Sequence, residues 1–118
     1  MLRSIGFALC AAVGLAASAS AQGASASAQD AKIARGVQVY AAQKCAMCHS
    51  IGEQGNKKGP LDGVAGKYSQ EELRAWIVDA KGMTAKTNAP RKPFMNNYNL
   101  PKEDLDALVA YMASLKKK

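Results

Sequence analysis

Hydrophobic positions recur at helical spacing in three stretches of the chain. In the first stretch Ile33, Val37 and Tyr40 follow Asp30, which suits an N-cap. Gly36 lies on the same face as Tyr40. A glycine within a helix costs up to ~1 kcal/mol relative to alanine, so its presence predicts that another element packs closely against this face.

The second helix is predicted to begin at Ser69 and the third to span residues 102–116. Ser69 and Glu72 have the spacing of a capping box, and Gly82 is expected to end the second helix. Pro101 suits the first turn of the third helix. The two apolar stripes consist of Leu73, Trp76, Ile77 and Ala80 in the second helix and of Leu105, Leu108, Val109, Met112 and Leu115 in the third.

The segments between the helices, residues 50–68 and 82–100, are rich in Gly, Pro, Asn and Lys. No window alternates in the way that predicts a β-strand. Loops this long in a small domain are typically functional or wrapped around something. The pattern therefore predicts an all-α domain of three main helices and long loops. The loops are expected to surround a centre that the hydrophobic side chains of the chain do not themselves fill.

The first residues have the pattern of a secretory signal. Residues 1–3 form a short n-region with the basic Arg3, residues 5–17 are apolar and uncharged, and Ala-Ser-Ala at 19–21 fits a signal peptidase site. The apolar run, which includes Cys10, is shorter than the ~20 residues that a membrane span needs. We therefore expect a periplasmic protein with no stable membrane insertion after cleavage. A short N-terminal anchor helix is the alternative.

The composition further limits the kinds of metal or cofactor site that the chain can form. The 118 residues carry a formal net charge of +7, three cysteines and one histidine. We expect residues 1–21 to be the cleaved signal peptide, the low-complexity residues 22–29 to be a flexible lead-in, and residues 30–118 to be one folded domain. That domain would hold a single histidine, which excludes a His-rich metal centre.

Cys45, Cys48 and His49 form a C-x-x-C-H motif, the attachment signature for c-type haem. Thiols at this spacing can reach the two vinyl groups on one edge of a porphyrin, and the adjacent histidine can then coordinate the iron. A redox-active cysteine pair would need a βαβ context, a zinc site would need further ligands, and a disulfide would leave His49 without a role. The motif predicts one haem c, attached through both cysteines.

The second axial ligand is expected to be a methionine, because the chain has no second histidine. Met47 lies between the two cysteines, and Met112 belongs to the stripe of the third helix. Met83 and Met95 remain, both within the second long loop. We favour Met95, because residues 93–99 around it suit a turn that aims one side chain inward. The alternative interpretation of Met83 is an apolar residue at a helix end.

These motifs resemble the class I monohaem cytochromes c of bacteria over nearly the whole mature domain. Gly36 and Tyr40, followed by the C-x-x-C-H motif, resemble the N-terminal helix of that family. Residues 59–66 resemble the segment after the motif. Met95 and residues 105–111 resemble the methionine-ligand loop and the C-terminal helix.

The resemblance implies the class I cytochrome c fold, in which Leu108 and Tyr111 pack against the glycine and aromatic residue of the first helix. It also implies that the carbonyl of Pro60 accepts a hydrogen bond from His49. With His49 and Met95 both bound, the iron would have no position for a substrate. The expected function is one-electron transfer, without enzymatic activity, between a donor dehydrogenase or membrane complex and a terminal oxidase or reductase.

Basic residues cluster in or beside the loops expected to surround the haem: Lys44, Lys57, Lys58, Lys81, Lys86, Arg91 and Lys92. We expect them to steer a monomeric carrier onto acidic redox partners, and the alternative is a general solvated surface. No nucleic-acid-binding motif is present. Two other functions stay open: a haem subunit fixed in a larger dehydrogenase complex, and an open-site haem sensor or catalyst if Met95 does not bind the iron.

Overall fold

The computed structural model describes the backbone of residues 20–117 and the side chains of residues 27–117. Most of the predicted signal peptide lies outside these residues. The helices are α1 (Ser20–Ala42), α2 (Val64–Lys67), α3 (Gln70–Val78), α4 (Ala80–Thr87) and α5 (Lys102–Ser114), with a 3-10 turn at Cys45–Met47. A two-residue antiparallel hairpin pairs β1 (Ser50–Ile51) with β2 (Gln54–Gly55). The all-α prediction is thus confirmed, with this small hairpin added.

The first helix begins upstream of the predicted N-cap. It starts at Ser20, so residues 22–29 are helical rather than irregular, and Asp30 lies inside the helix. This stretch is rich in alanine, the best helix former, and contains no proline. Because the residues around Asp30 continue in helical conformation, its carboxylate has no helix end to cap.

The second predicted helix is two helices. The capping box is confirmed, since the Ser69 hydroxyl accepts from the Glu72 N–H at 3.2 Å and the Glu72 carboxylate accepts from the Ser69 N–H at 2.8 Å. However, α3 ends at Val78, and the next residue, Asp79, caps α4 because its carboxylate accepts from the Gly82 N–H at 3.1 Å. Gly82 therefore lies in the first turn of α4 and does not end a helix. A Cβ at this position would come within 2.2 Å of the Asp79 carboxylate, so the capping geometry favours glycine here.

Helices α1 and α5 cross where the sequence predicts a close approach. A Cβ on Gly36 would lie 2.2 Å from the Ala107 carbonyl oxygen and 2.6 Å from the Tyr111 Cβ. Beside this contact the rings of Tyr40 and Tyr111 pack edge to face, with centroids 5.8 Å apart. The core around the crossing consists of Val39, Val64, Leu73, Ile77, Leu108, Val109 and Met112. The crossing therefore joins the two ends of the domain.

Ion pairs on α5 complete this packing. Arg35 of α1 donates to Asp104 at 2.8 Å, and Asp106 accepts from Arg74 at 2.6 Å and from Lys102 at 2.7 Å. The hydrogen bonds from Lys102 and Arg74 lower the pKa of Asp106 to about 2. The carboxylates of Asp104 and Asp106 are therefore engaged in ion pairs within the protein. Within residues 20–117, no helix is both long and apolar enough to cross a bilayer.

We expect Gly36→Ala to destabilise the protein by roughly 1–3 kcal/mol, because the cost of overpacking the helix crossing exceeds the gain in helix propensity. Urea unfolding of the holoprotein measures the difference. Gln38→Ala, at an exposed position of the same helix, is the control and should leave the free energy of unfolding nearly unchanged. A Gly36→Ala protein as stable as the unchanged chain would contradict the close crossing.

Candidate functional site

The C-x-x-C-H motif forms one compact turn directly after α1. Lys44 adopts a left-handed conformation with φ 56°, which ends the helix and begins the 3-10 turn. The carbonyl of Cys45 then accepts from the Cys48 N–H at 3.1 Å and from the His49 N–H at 2.9 Å. Neither thiol is in a disulfide; Cys45 is partly buried and Cys48 is exposed. The turn thus gathers both thiols and the imidazole within five residues.

Asn56 holds this turn from the hairpin side. Its N–H donates to the carbonyls of Ala46 at 3.0 Å and His49 at 2.9 Å, and its side-chain amide donates to the Met47 carbonyl at 3.1 Å. Asn56 therefore satisfies three carbonyls of the motif that helical hydrogen bonds do not. Sequence reasoning missed this residue; its position after Gly55, in a stretch of turn-forming residues, was the available signal.

The imidazole of His49 is held through its Nδ1 atom, which lies 3.0 Å from the carbonyl oxygen of Gly59. The resemblance implied Pro60 as the acceptor, and that assignment is wrong in this structure. Ser50 pairs with residues 59–61 in a parallel bridge: its N–H donates to Gly59 at 3.1 Å and its carbonyl accepts from Leu61 at 2.8 Å. In such a bridge the carbonyl of the intervening residue points the other way.

This hydrogen bond selects a tautomer. With the proton on Nδ1 and donated to Gly59, the Nε2 lone pair is available to a metal. Burial lowers the pKa of His49, the hydrogen bond to Gly59 opposes that shift, and the charge of Arg91 adds to it. The net lowering favours the neutral imidazole, which is the form that binds iron.

The two candidate methionines have different surroundings. Met83 is 8% exposed within α4, and its carbonyl accepts from the Thr87 hydroxyl at 2.7 Å. Met95 is partly buried in the irregular segment 88–101. That segment is anchored after Met95, where the Tyr98 N–H donates to the Ile77 carbonyl at 2.8 Å.

Two tyrosines from separate elements have pKa values that are raised by burial and in part by the charges of the cysteines. Burial raises the pKa of Tyr40 to about 12, and the charge of Cys45 adds to the shift. The pKa of Tyr98 is also raised, by burial and then by the charges of Cys45 and Cys48. The pKa of the Cys45 thiol itself is raised by burial. Tyr40 of α1 and Tyr98 of the segment 88–101 are therefore both partly buried phenols whose ionisation is disfavoured by burial and by the charges of the motif cysteines.

In the described part of the chain, two buried polar groups without partners provide a further indication that the residues of this site fit a haem. Among the side chains of residues 27–117, the hydroxyl of Tyr40 and the Nε1–H of Trp76 are buried without a hydrogen-bond partner. Burying such groups unpaired is costly, typically about 1–3 kcal/mol each. A haem brings two carboxylates, which are suitable acceptors. In the same residues no group of three or more His, Cys, Asp and Glu side chains could hold a bare metal ion.

The fold and this turn define a small helical protein of the c-type haem class. The sequence profile of the cytochrome c family matches residues 33–116, and the chain belongs to that family. The class I monohaem prediction is confirmed, and membership implies a covalently attached haem and haem-based electron transfer.

One curated relative is cytochrome c oxidase subunit 2 of Alkalihalophilus pseudofirmus, 33% identical over 91 residues. The match covers 70% of this chain and 25% of that protein, so the chain spans about a quarter of its length. No solved structure matches the chain.

We expect Gly59→Ala to reduce the yield of haem-bound protein severalfold. A Cβ at this position would lie 2.4 Å from the Cys48 carbonyl oxygen, so the backbone of the motif or the acceptor of His49 must shift. The ratio of haem absorbance to polypeptide measures the loss. Gly66→Ala is the matched control, because a Cβ there meets nothing within 4 Å. Equal yields from the two variants would show that this close packing is unimportant for haem binding.

Proposed function

We propose that this protein is an exported, diffusible one-electron carrier with a single haem held by Cys45, Cys48, His49 and Met95. The observation that carries the proposal is the C-x-x-C-H turn in which His49 is oriented by Gly59 at 3.0 Å. The family membership supports electron transfer as the activity. Cleavage of residues 1–21 and a periplasmic location follow from the sequence pattern.

Each residue has a distinct part in this function. Cys45 and Cys48 would hold the haem covalently: each thiol would form a carbon–sulfur bond to one vinyl group, with its hydrogen going to the neighbouring vinyl carbon. His49 donates from Nδ1 to Gly59 and offers Nε2 to the iron. When bound, the haem supplies an iron that accepts one electron from a donor and gives it to an acceptor.

Met95 is proposed as the second axial ligand because both flanks of its segment are attached near the motif. Upstream, the guanidinium of Arg91 lies against Gly59. Downstream, the Tyr98 N–H is hydrogen-bonded to a carbonyl of α3, while burial and the charges of both cysteines raise the pKa of Tyr98. Met83 is instead a buried residue of the regular helix α4. A thioether ligand favours ferrous iron and closes the coordination sphere, which suits a carrier rather than a catalyst.

Replacing the two methionines separately tests this ligand assignment. We expect the reduced, unchanged protein to keep its optical spectrum when carbon monoxide is added. Met95→Ala should bind carbon monoxide promptly, because a coordination position is then free. Met83→Ala should lose roughly 2–5 kcal/mol of stability to a core cavity, yet keep the spectrum.

The opposite pattern, with carbon monoxide binding only in Met83→Ala, would transfer the ligand assignment to Met83. Prompt binding by the unchanged protein would favour the open-site sensor or catalyst over the carrier.

The charge distribution supports docking onto acidic partners. The lysines in and beside the site segments are exposed: Lys44, Lys57, Lys58, Lys81, Lys86 and Lys92. Within the described side chains only Lys57 of this set is in an ion pair, with Glu53. The acidic residues of α5 are neutralised by Arg35, Arg74 and Lys102. The segments that carry the C-x-x-C-H motif and Met95 therefore bear lysines of which, among the described side chains, only Lys57 is paired with a carboxylate, and this charge supports docking onto an acidic partner.

We expect electron transfer with an acidic redox protein to slow by at least tenfold between about 10 mM and 300 mM salt, because screening shortens the range of these charges. Stopped-flow absorbance at varied ionic strength measures the association rate. Lys58→Gln should lower the rate at low salt, whereas Lys32→Gln, on the exposed surface of α1, should not. A rate independent of salt would exclude electrostatic steering.

A second candidate is a haem subunit fixed in a larger complex. The match to an oxidase subunit favours it, because a domain of this kind there forms part of a longer chain. The two candidates differ in the apparent mass of the native protein, which size-exclusion chromatography of a detergent extract measures.

A further inference from the structure

Arg91 lies against the residue that orients the histidine. A Cβ on Gly59 would fall 1.9 Å from the Arg91 Nη1 atom and 2.8 Å from its Cζ atom. The carbonyl of the same Gly59 lies 3.0 Å from the Nδ1 atom of His49. One glycine therefore separates a guanidinium from the hydrogen bond of the proposed iron ligand.

No carboxylate of the described side chains compensates the charge of Arg91. Arg35 and Arg74 pair with carboxylates at 2.8 Å and 2.6 Å, but no carboxylate among the side chains of residues 27–117 is within ion-pair distance of Arg91. Its side chain is also partly buried, so water screens it less than an exposed lysine. A partly buried cation in this position acts on nearby charges more strongly than the exposed lysines do.

The chain restricts where Arg91 can go. Pro90 precedes it and Pro93 follows two residues later, and each proline ring fixes one backbone dihedral. The neighbouring Lys92 is directed elsewhere, with its ammonium 5.7 Å from the centre of the Phe94 ring. Of these two adjacent basic residues, Arg91 alone is in contact with Gly59.

We propose that Arg91 is a positioning residue that acts through Gly59 and His49 and raises the reduction potential of an iron held by His49. Ferric iron carries one more positive charge than ferrous iron, so a fixed cation beside the ligand's hydrogen bond disfavours the oxidised state. This inference rests on the proposed function. It assigns to Arg91 a role different from that of the docking lysines, because its effect requires no partner protein.

Redox titration of the purified holoprotein, followed by its visible spectrum, tests this role. Arg91→Gln and Arg91→Met remove the charge and keep an unbranched side chain, whereas Arg91→Lys keeps the charge. We expect each charge-free variant to show about a threefold fall in the ratio of reduced to oxidised protein at a fixed potential. That change equals about 28 mV, at 59 mV per tenfold change in a one-electron couple. Arg91→Lys should shift by less than half as much.

Lys32→Gln is the matched control for loss of one positive charge and should leave the potential nearly unchanged. The proposal is overturned if the charge-free variants shift no more than this control, or if Arg91→Lys shifts as far as Arg91→Gln. Failure of both charge-free variants to bind haem, while Arg91→Lys binds it, would assign Arg91 to assembly and also overturn the proposal.

Failure of the proposed function would be visible separately. In that case the unchanged protein itself would lack a covalently attached haem or a reversible one-electron couple, whatever residue stands at position 91.

Discussion

The carbonyl of Gly59 is the atom on which the site depends. It accepts from the imidazole of His49 at 3.0 Å and from the Ser50 N–H at 3.1 Å, so one acceptor orients the ligand and attaches the long loop to the motif. The absence of a side chain at this position lets the Cys48 carbonyl and Arg91 approach from the other side. A small, helix-poor segment therefore obtains a defined geometry from a few backbone hydrogen bonds rather than from a hydrophobic core.

The helix crossing plays the corresponding part for the fold. Gly36 allows α1 to reach the backbone of α5, and the edge-to-face pair of Tyr40 and Tyr111 extends that contact. Because α1 leads directly into the C-x-x-C-H turn, the crossing also sets where the motif lies relative to the rest of the chain. The helix α1 thus both packs against α5 and positions the C-x-x-C-H motif that follows it.

Features encoded by local spacing were predictable from the sequence. The capping box at Ser69, the close approach at Gly36 and the family all followed from short motifs. The predictions that were wrong concerned competition between neighbouring backbone groups: Gly82 serves the cap made by Asp79 rather than ending a helix, and Gly59 replaces Pro60 as the acceptor. Side-chain placements such as that of Arg91 depend on contacts between distant loops, which periodicity does not encode. The assignment of Met95 stays a prediction.

The pairing of α1 with α5 has a consequence for how the chain folds. A 13-residue helix such as α5 is only marginally stable in water on its own, and its packing partner α1 ends at Ala42, far before it in the chain. Closing the large loop between them costs entropy before the contact is gained. Folding of this domain therefore requires the chain through α5. Until then the two thiols stay on an open chain, accessible to whatever must modify them.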